Sequence, residues 1–229
     1  MKKNKIFKCF LSVFIVAELV LSVLIHKASP AYLYSYISIV LAVMFCLTAY
    51  EPTPRWALTQ IALVFTLCAD LFLVVLGSHL TLAMCFFSVT QLSYASRIAL
   101  LQEKKERRAH LITRASAVLF ALALTAIVLG KNTDALALVS LFYFANLIIN
   151  AIFATVKIKK EPLFAIGLWL FVLCDIFVGF GMLGSYLPLA KNPVLDFLVS
   201  PPINMAWVFY LPSQVLLSIS TVKLGKINS

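Results

Sequence analysis

Apolar residues fill this chain in long blocks, parted by short polar stretches that carry most of the charge. A helix rising 1.5 Å per residue needs roughly 20 residues to cross about 30 Å of hydrocarbon. Eight blocks approach that length, at about residues 7–25, 32–49, 57–77, 80–101, 111–130, 135–156, 163–183 and 203–222. Irregular backbone facing lipid would leave peptide groups unpaired, so blocks of this length read as helices. The expected fold is all-α: one transmembrane domain over residues 1–229, built as a bundle of eight transmembrane helices.

Composition agrees with the pattern. Of the 229 residues 62% are hydrophobic and 12% charged, and the mean hydropathy of +1.01 lies outside the range of soluble domains. A net charge of +10 raises the question of nucleic acid, and the placement of the cations answers it. With the N-terminus inside, the cytoplasmic segments collect Lys2, Lys3, Lys5, Lys8, Arg55, Arg97, Lys104, Lys105, Arg107, Arg108, Arg114, Lys157, Lys159, Lys160, Lys223 and Lys226. The outer loops keep Lys27, Lys131 and Lys191. That asymmetry is the positive-inside signature. It predicts a cytoplasmic membrane protein with both termini in the cytoplasm, whose cations meet anionic lipid headgroups and not nucleic acid. The first block follows lysines as a secretory signal would, but Glu18 interrupts it and Pro30 is poorly placed for cleavage, so a retained helix is expected. Cys9, Cys46, Cys68, Cys85 and Cys174 lie in or at the ends of blocks without a close pair, which predicts neither disulfide nor zinc site. Cys9 lies near the cytoplasmic interface, where palmitoylation is possible chemistry, but it reads more simply as an apolar cysteine.

The polar stretch 102–110 divides the chain into halves of roughly 1–102 and 110–222, and its charged run 103–108 reads as a solvated turn. The stretch 184–202 holds Pro188, Pro193, Pro201 and Pro202 and is expected over the outer mouth. The halves echo each other: Phe65-Thr66-Leu67-Cys68-Ala69-Asp70 in the third block resembles Phe171-Val172-Leu173-Cys174-Asp175 in the seventh. Gln91 and Tyr94 in the fourth block answer Tyr210 and Gln214 in the eighth. A four-plus-four duplication in parallel orientation is the expectation.

Three carboxylates, Glu18, Asp70 and Asp175, fall inside blocks. Each costs about 2.5 to 3.5 kcal/mol at the centre of an inserted helix, so they are expected to face a protein interior. Tyr143, Asn146 and Asn150 share one helix face, as do Gln91 and Tyr94, and likewise Tyr210, Gln214 and Ser218. Together these describe a polar pocket in an apolar bundle, although amides and hydroxyls also serve as packing contacts between helices. Packing alone explains the aspartates less well, because a neutral amide would do that work at smaller desolvation cost. Paired buried carboxylates suit acid-base chemistry, one protonated beside one ionised. His26, His79 and His110 form no clustered ligand set, so neither a catalytic metal nor another cofactor is expected.

At these residues the chain resembles the YhhN-like membrane proteins, the family that includes the lysoplasmalogenases. The likeness rests on the Phe-rich stretch ending at Asp70, on Phe86-Phe87-Ser88-Val89-Thr90-Gln91-Leu92-Ser93-Tyr94, on Gly167 to Asp175, and on Tyr210-Leu211-Pro212-Ser213-Gln214. Ala69 stands where the family has glycine, Cys174 where it has serine, and Gln91 where it usually has histidine. The resemblance implies hydrolysis of the vinyl-ether bond of a lysoplasmalogen, a lysophospholipid, to a fatty aldehyde and a glycerophospho-base. On that reading Asp70 and Asp175 are jointly catalytic. Gln91, Tyr94, Tyr143, Asn146, Asn150, Tyr210, Gln214 and Glu18 bind or orient substrate or water. The alternatives are a proton-coupled transporter or lipid carrier, with Pro212 a candidate helix break, and a non-catalytic lipid-binding relative.

Overall fold

The computed structural model describes residues 2–49, 53–188 and 192–222, with side chains from residue 6 onward. Of the cations sorted above, Lys191, Lys223 and Lys226 lie outside the described residues, as do the side chains of Lys2, Lys3 and Lys5. Among the described residues the regular structure is entirely helical: α1 (Lys2–Lys27), α2 (Ala31–Thr48), α3 (Pro54–Asp70), α4 (Leu80–Ala99), α5 (Lys104–Leu129), α6 (Ala135–Val156), α7 (Pro162–Leu183), α8 (Pro193–Val199) and α9 (Met205–Ile219). A π-helical turn, Leu71–Leu76, prolongs α3 and ends at Gly77, whose φ of 57° is the left-handed geometry that glycine adopts without steric cost.

The helix starts follow local chemistry. Thr53 accepts from the Trp56 N–H ahead of Pro54, and Asp134 accepts from the Ala137 N–H at 2.7 Å. Glu103 and Glu106 form a reciprocal capping box at the head of α5. These caps satisfy first-turn N–H groups that have no partner within their own helix.

Six helices, not eight, are long and apolar enough to cross a membrane: Ile6–Lys27, Ala31–Thr48, Pro54–Leu76, Lys104–Asn132, Ala135–Val156 and Pro162–Leu183. The protein is a multi-pass membrane protein on these six. The fourth and eighth blocks fail for different physical reasons. The 20-residue α4 is long enough, but it carries Ser88 near its middle and Thr90, Gln91, Ser93, Ser96 and Arg97 in its second half, and falls short in apolarity. The 15 residues of α9 reach only about 22 Å. Both lie within the bundle, α4 against α3 and α6, and α9 against α7 and α2. Their polar residues are turned inward, Thr90, Gln91 and Arg97 on α4 and Ser213, Gln214 and Ser218 on α9, so neither helix is apolar all round. By contrast α5 leaves Leu111, Leu119, Phe120 and Ile127 exposed, as a lipid-facing helix does.

The expected four-plus-four repeat is likewise not what the fold shows. Asp70 closes an α-helix and is followed by a π turn, whereas Asp175 sits inside the unbroken α7. The second half contains α8, packed on α7 through Phe177 and Phe197, and α8 has no counterpart in the first. The two Asp-bearing stretches are alike in sequence but stand in different helical settings.

The main core joins α3, α4, α6, α7 and α9 through Ala62, Phe87, Leu147, Leu168, Phe171 and Leu217 among others. Within it α7 and α9 approach closely at Gly167. Ser213 Oγ donates to the Gly167 carbonyl at 2.8 Å, and a Cβ on Gly167 would meet Leu217 Cγ at 3.0 Å. Pro212 is accommodated inside α9 without ending it. Replacing Gly167 with leucine is therefore expected to force the helices apart and cost about 1–3 kcal/mol. Thermal unfolding in detergent is the check, and an unchanged midpoint would contradict this packing.

Candidate functional site

The aspartates predicted from sequence lie in one interior cluster. Asp70 is buried, and its Oδ2 accepts from the Tyr210 hydroxyl at 2.6 Å, tying the end of α3 to α9. Asp175 accepts from the Tyr143 hydroxyl, tying α7 to α6. Phe171, one turn before Asp175, stands between the two tyrosines, with ring centroids 5.3 Å from Tyr210 and 6.3 Å from Tyr143. Phe87 stacks on Tyr143 at 5.2 Å and Trp207 meets Tyr210 edge-on at 5.2 Å. The arrangement is a pair of carboxyls, each oriented by a phenol, in walls made largely of aromatic rings.

The other predicted residues divide between this cluster and its surroundings. Gln214, one turn along α9 from Tyr210, is fully buried, and among the described residues neither of its amide atoms has a hydrogen-bond partner. The buried Tyr94 hydroxyl likewise has no hydrogen-bond partner among the described residues, its ring edge-on to Phe164. Gln91 accepts from Asn150 Nδ2 through both its backbone carbonyl, at 2.8 Å, and its side-chain oxygen, at 3.0 Å, while its own Nε2 has no partner. Asn146 and Asn150 turn their oxygens to Arg114. Glu18 is buried on α1 and accepts from Ser38 of α2 at 2.6 Å; among the described residues no hydrogen bond joins it to the aspartates.

Two buried cations belong to this account, although the sequence placed both among the cytoplasmic charges. Arg97 is 1% exposed. Its Nε and Nη2 donate to Glu161 Oε2 at 3.1 and 2.6 Å, its Nη1 to Thr59 Oγ1 and Ser220 Oγ, and its Nη2 also to the Ser220 carbonyl. All five guanidinium protons are thereby used. Glu161 also pairs with Arg55, and the Phe164 ring lies 4.0 Å from the Arg97 guanidinium carbon. This network binds α3, α4, α7 and the end of α9 at one end of the bundle.

Arg114, 9% exposed, differs. It donates to Asn146, to Asn150 at 2.6 Å and to His110 Nε2 at 2.9 Å, and no carboxylate among the described residues pairs with it. Because a guanidinium only donates, His110 Nε2 must be unprotonated, so its Nδ1–H donates to Gln102 Oε1 at 3.0 Å. The sequence held a signal for each cation. Arg97 continues the face of Gln91 and Tyr94 at the next helical step, and Arg114 stands four residues after His110.

An interior pair of tyrosine-held aspartates in a six-span helical bundle defines a polytopic membrane protein with an intramembrane carboxylate site. The chain belongs to the YhhN family, whose family model matches residues 30–220. No curated protein and no solved structure gives a significant match.

Removing one member of a buried ion pair strands the other. Glu161→Ala is expected to destabilise the protein by about 3–5 kcal/mol, and Glu161→Leu combined with Arg97→Met to recover most of that loss. Chemical unfolding in mixed micelles measures both. If the double variant is no more stable than Glu161→Ala, the pair is not the cause of the loss.

Proposed function

We propose that this protein is a membrane-embedded lipid hydrolase that cleaves the vinyl-ether bond of a lysoplasmalogen, with Asp70 and Asp175 as its acid-base pair. The observation that carries the reading is the aspartate pair itself, each carboxyl oriented by a tyrosine hydroxyl among aromatic walls. Family membership supports it, because the YhhN family includes lysoplasmalogenases.

Vinyl-ether hydrolysis begins with protonation of carbon, which a desolvated carboxylic acid is suited to perform. The protonated member of the pair transfers its proton to the outer vinyl carbon, and the alkene π electrons form the new C–H bond. Positive charge develops on the carbon that bears oxygen, shared with that oxygen, and the ionised carboxylate stabilises it in a low-dielectric surrounding. The same carboxylate takes a proton from the water that attacks this carbon. The resulting hemiacetal breaks its C–O bond to give a fatty aldehyde and the glycerophospho-alcohol, and the proton balance of the pair is restored. Tyr143 and Tyr210 fix the carboxyl orientations, Gln91, Tyr94 and Gln214 orient water or headgroup, and the apolar walls take the alkenyl chain. In this reading the end of the bundle that gathers Arg55, Arg97, Lys157 and Lys160 faces the cytoplasm, as do both termini.

A proton-coupled carrier is the second reading. One observation favours it: the helix that bears Asp70 passes directly into a π-helical turn, an irregularity beside an intramembrane carboxylate.

The test is product analysis by mass spectrometry on purified protein given alkenyl, alkyl and acyl lysophospholipids together. Aldehyde is expected from the alkenyl species alone. Asp70→Asn and Asp175→Asn are each expected to lower kcat by about 10²–10⁴-fold while remaining folded. Folded aspartate variants that turn over like the parent would remove the acid-base assignment. Binding without turnover, or pH-driven uptake into proteoliposomes, would favour the carrier.

A further inference from the structure

The buried cluster around Arg114 has donors to spare and is short of acceptors. Arg114 brings a full positive charge into the bundle, and among the described residues its hydrogen bonds go to the oxygens of Asn146 and Asn150 and the Nε2 of His110. Beside it, Gln91 has spent both its oxygens on Asn150, and its Nε2–H₂ is buried with nothing to accept from it. Both deficits have one sign. An anion that only accepts hydrogen bonds would satisfy the amide and neutralise the guanidinium together, and phosphate oxygens have that chemistry.

The position fits as well as the chemistry. On α6, Tyr143 marks the level of Asp175, while Asn146 and Asn150, which hold Arg114, lie about 4.5 and 10.5 Å further along the axis. In a lysophospholipid five single bonds separate phosphorus from the sn-1 ether oxygen, a span of no more than about 7.5 Å at 1.5 Å per bond. A phosphate at the level of Arg114 is therefore within reach of an ether oxygen at the level of Asp175.

The other cationic site does not fit. A cavity of about 220 Å³ is lined by Arg55, Arg97, Lys160 and Glu161, but Arg97 has no proton left to give. Ser220, which binds Arg97, stands ten residues from Tyr210 and so about 15 Å from the level of Asp70. Five bonds cannot cover that distance.

We infer that Arg114, with the Gln91 amide, is the subsite for the substrate's phosphodiester, an inference that rests on the hydrolase reading for the nature of the lipid. It assigns a specificity for phosphate-bearing single-chain lipids over neutral alkyl- or alkenylglycerols. Asn146, Asn150 and His110 position the guanidinium.

Equilibrium binding separates this proposal from catalysis. The probes are a 1-O-alkyl lysophospholipid, which has no vinyl ether to cleave, and the matching 1-O-alkylglycerol, which has no phosphate. The parent protein is expected to bind the phospholipid at least about tenfold more tightly, and Arg114→Gln to lose that preference with alkylglycerol binding unchanged. Arg114→Lys, which keeps the charge but not the fork, is expected to retain part of the preference and serves if the glutamine variant does not fold. Equal binding of both probes by the parent overturns the proposal. So does a loss of both affinities together in either variant, the outcome of a purely structural arginine. If the preference depends on Arg114 but alkenyl lysophospholipid is not cleaved, the phosphate subsite stands and the hydrolase reading falls. If alkenyl lysophospholipid is cleaved with a KM that Arg114→Gln leaves unchanged, the reverse holds.

Discussion

A carboxylate, guanidinium or amide inside hydrocarbon must find its partner on a neighbouring helix, and that requirement organises this bundle. The six apolar helices carry lipid-facing surface. The most polar interior helix, α4, and the shortest of the main helices, α9, are packed among them, and each supplies residues to the polar interior. Without the surrounding six, Gln91, Tyr94 and Arg97 on α4, and Tyr210 and Gln214 on α9, would face a medium that offers no hydrogen bonds. The bonds they make in turn fix how the helices sit. Tyr210 joins α9 to α3, and Arg97 joins α4 to α7 and to the end of α9. Gln91 receives Asn150 from α6. Apolar packing brings the helices together, and the polar pairs set their register.

The same requirement explains what could be read from the sequence. An all-helical membrane fold was legible because lipid imposes one composition on every exposed span. So was the interior placement of Asp70 and Asp175, each held by a tyrosine, since a carboxylate in an apolar block is costly wherever the block lies. The number of spans was misread because the fourth and eighth blocks are apolar on average, while the polar second half of α4 and the 15-residue length of α9 fall short of what a spanning helix needs. The apparent duplication misled for a related reason. Two stretches that share Phe, Leu, Cys and Asp can sit in different helical settings, one running into a π turn and the other within an unbroken helix. Arg97 and Arg114 were assigned to the headgroup region by their nearness to block ends. What distinguishes them is their acceptors: Glu161 lies 64 residues from Arg97, and Asn146 lies 32 residues from Arg114. Long-range pairing of this kind has no local signature beyond the helical spacing of the residues involved.

Saturation then separates scaffold from site. Arg97 has spent every proton it owns, and its carboxylate partner is bound by two arginines, so nothing about that network invites a ligand. The buried amide of Gln214, the Nε2 of Gln91 and the hydroxyl of Tyr94 are the opposite case: polar atoms carried into the interior and left without a protein partner. An unmet buried polar group costs about 1–3 kcal/mol, and natural interiors rarely keep several unless something else satisfies them. Unmet groups also occur on Glu18 of α1, on Gln60 of α3 and on Thr133, but those of Gln91, Tyr94 and Gln214 lie on α4 and α9, the helices that flank the aspartate pair, and Gln91 adjoins a cation that no carboxylate among the described residues pairs with. A bundle built only for stability would pair these groups or replace them with leucine. That it does neither, beside two carboxyls held in fixed orientation, is the physical ground for reading this interior as a place where a polar, anionic molecule is received and chemistry is done on it.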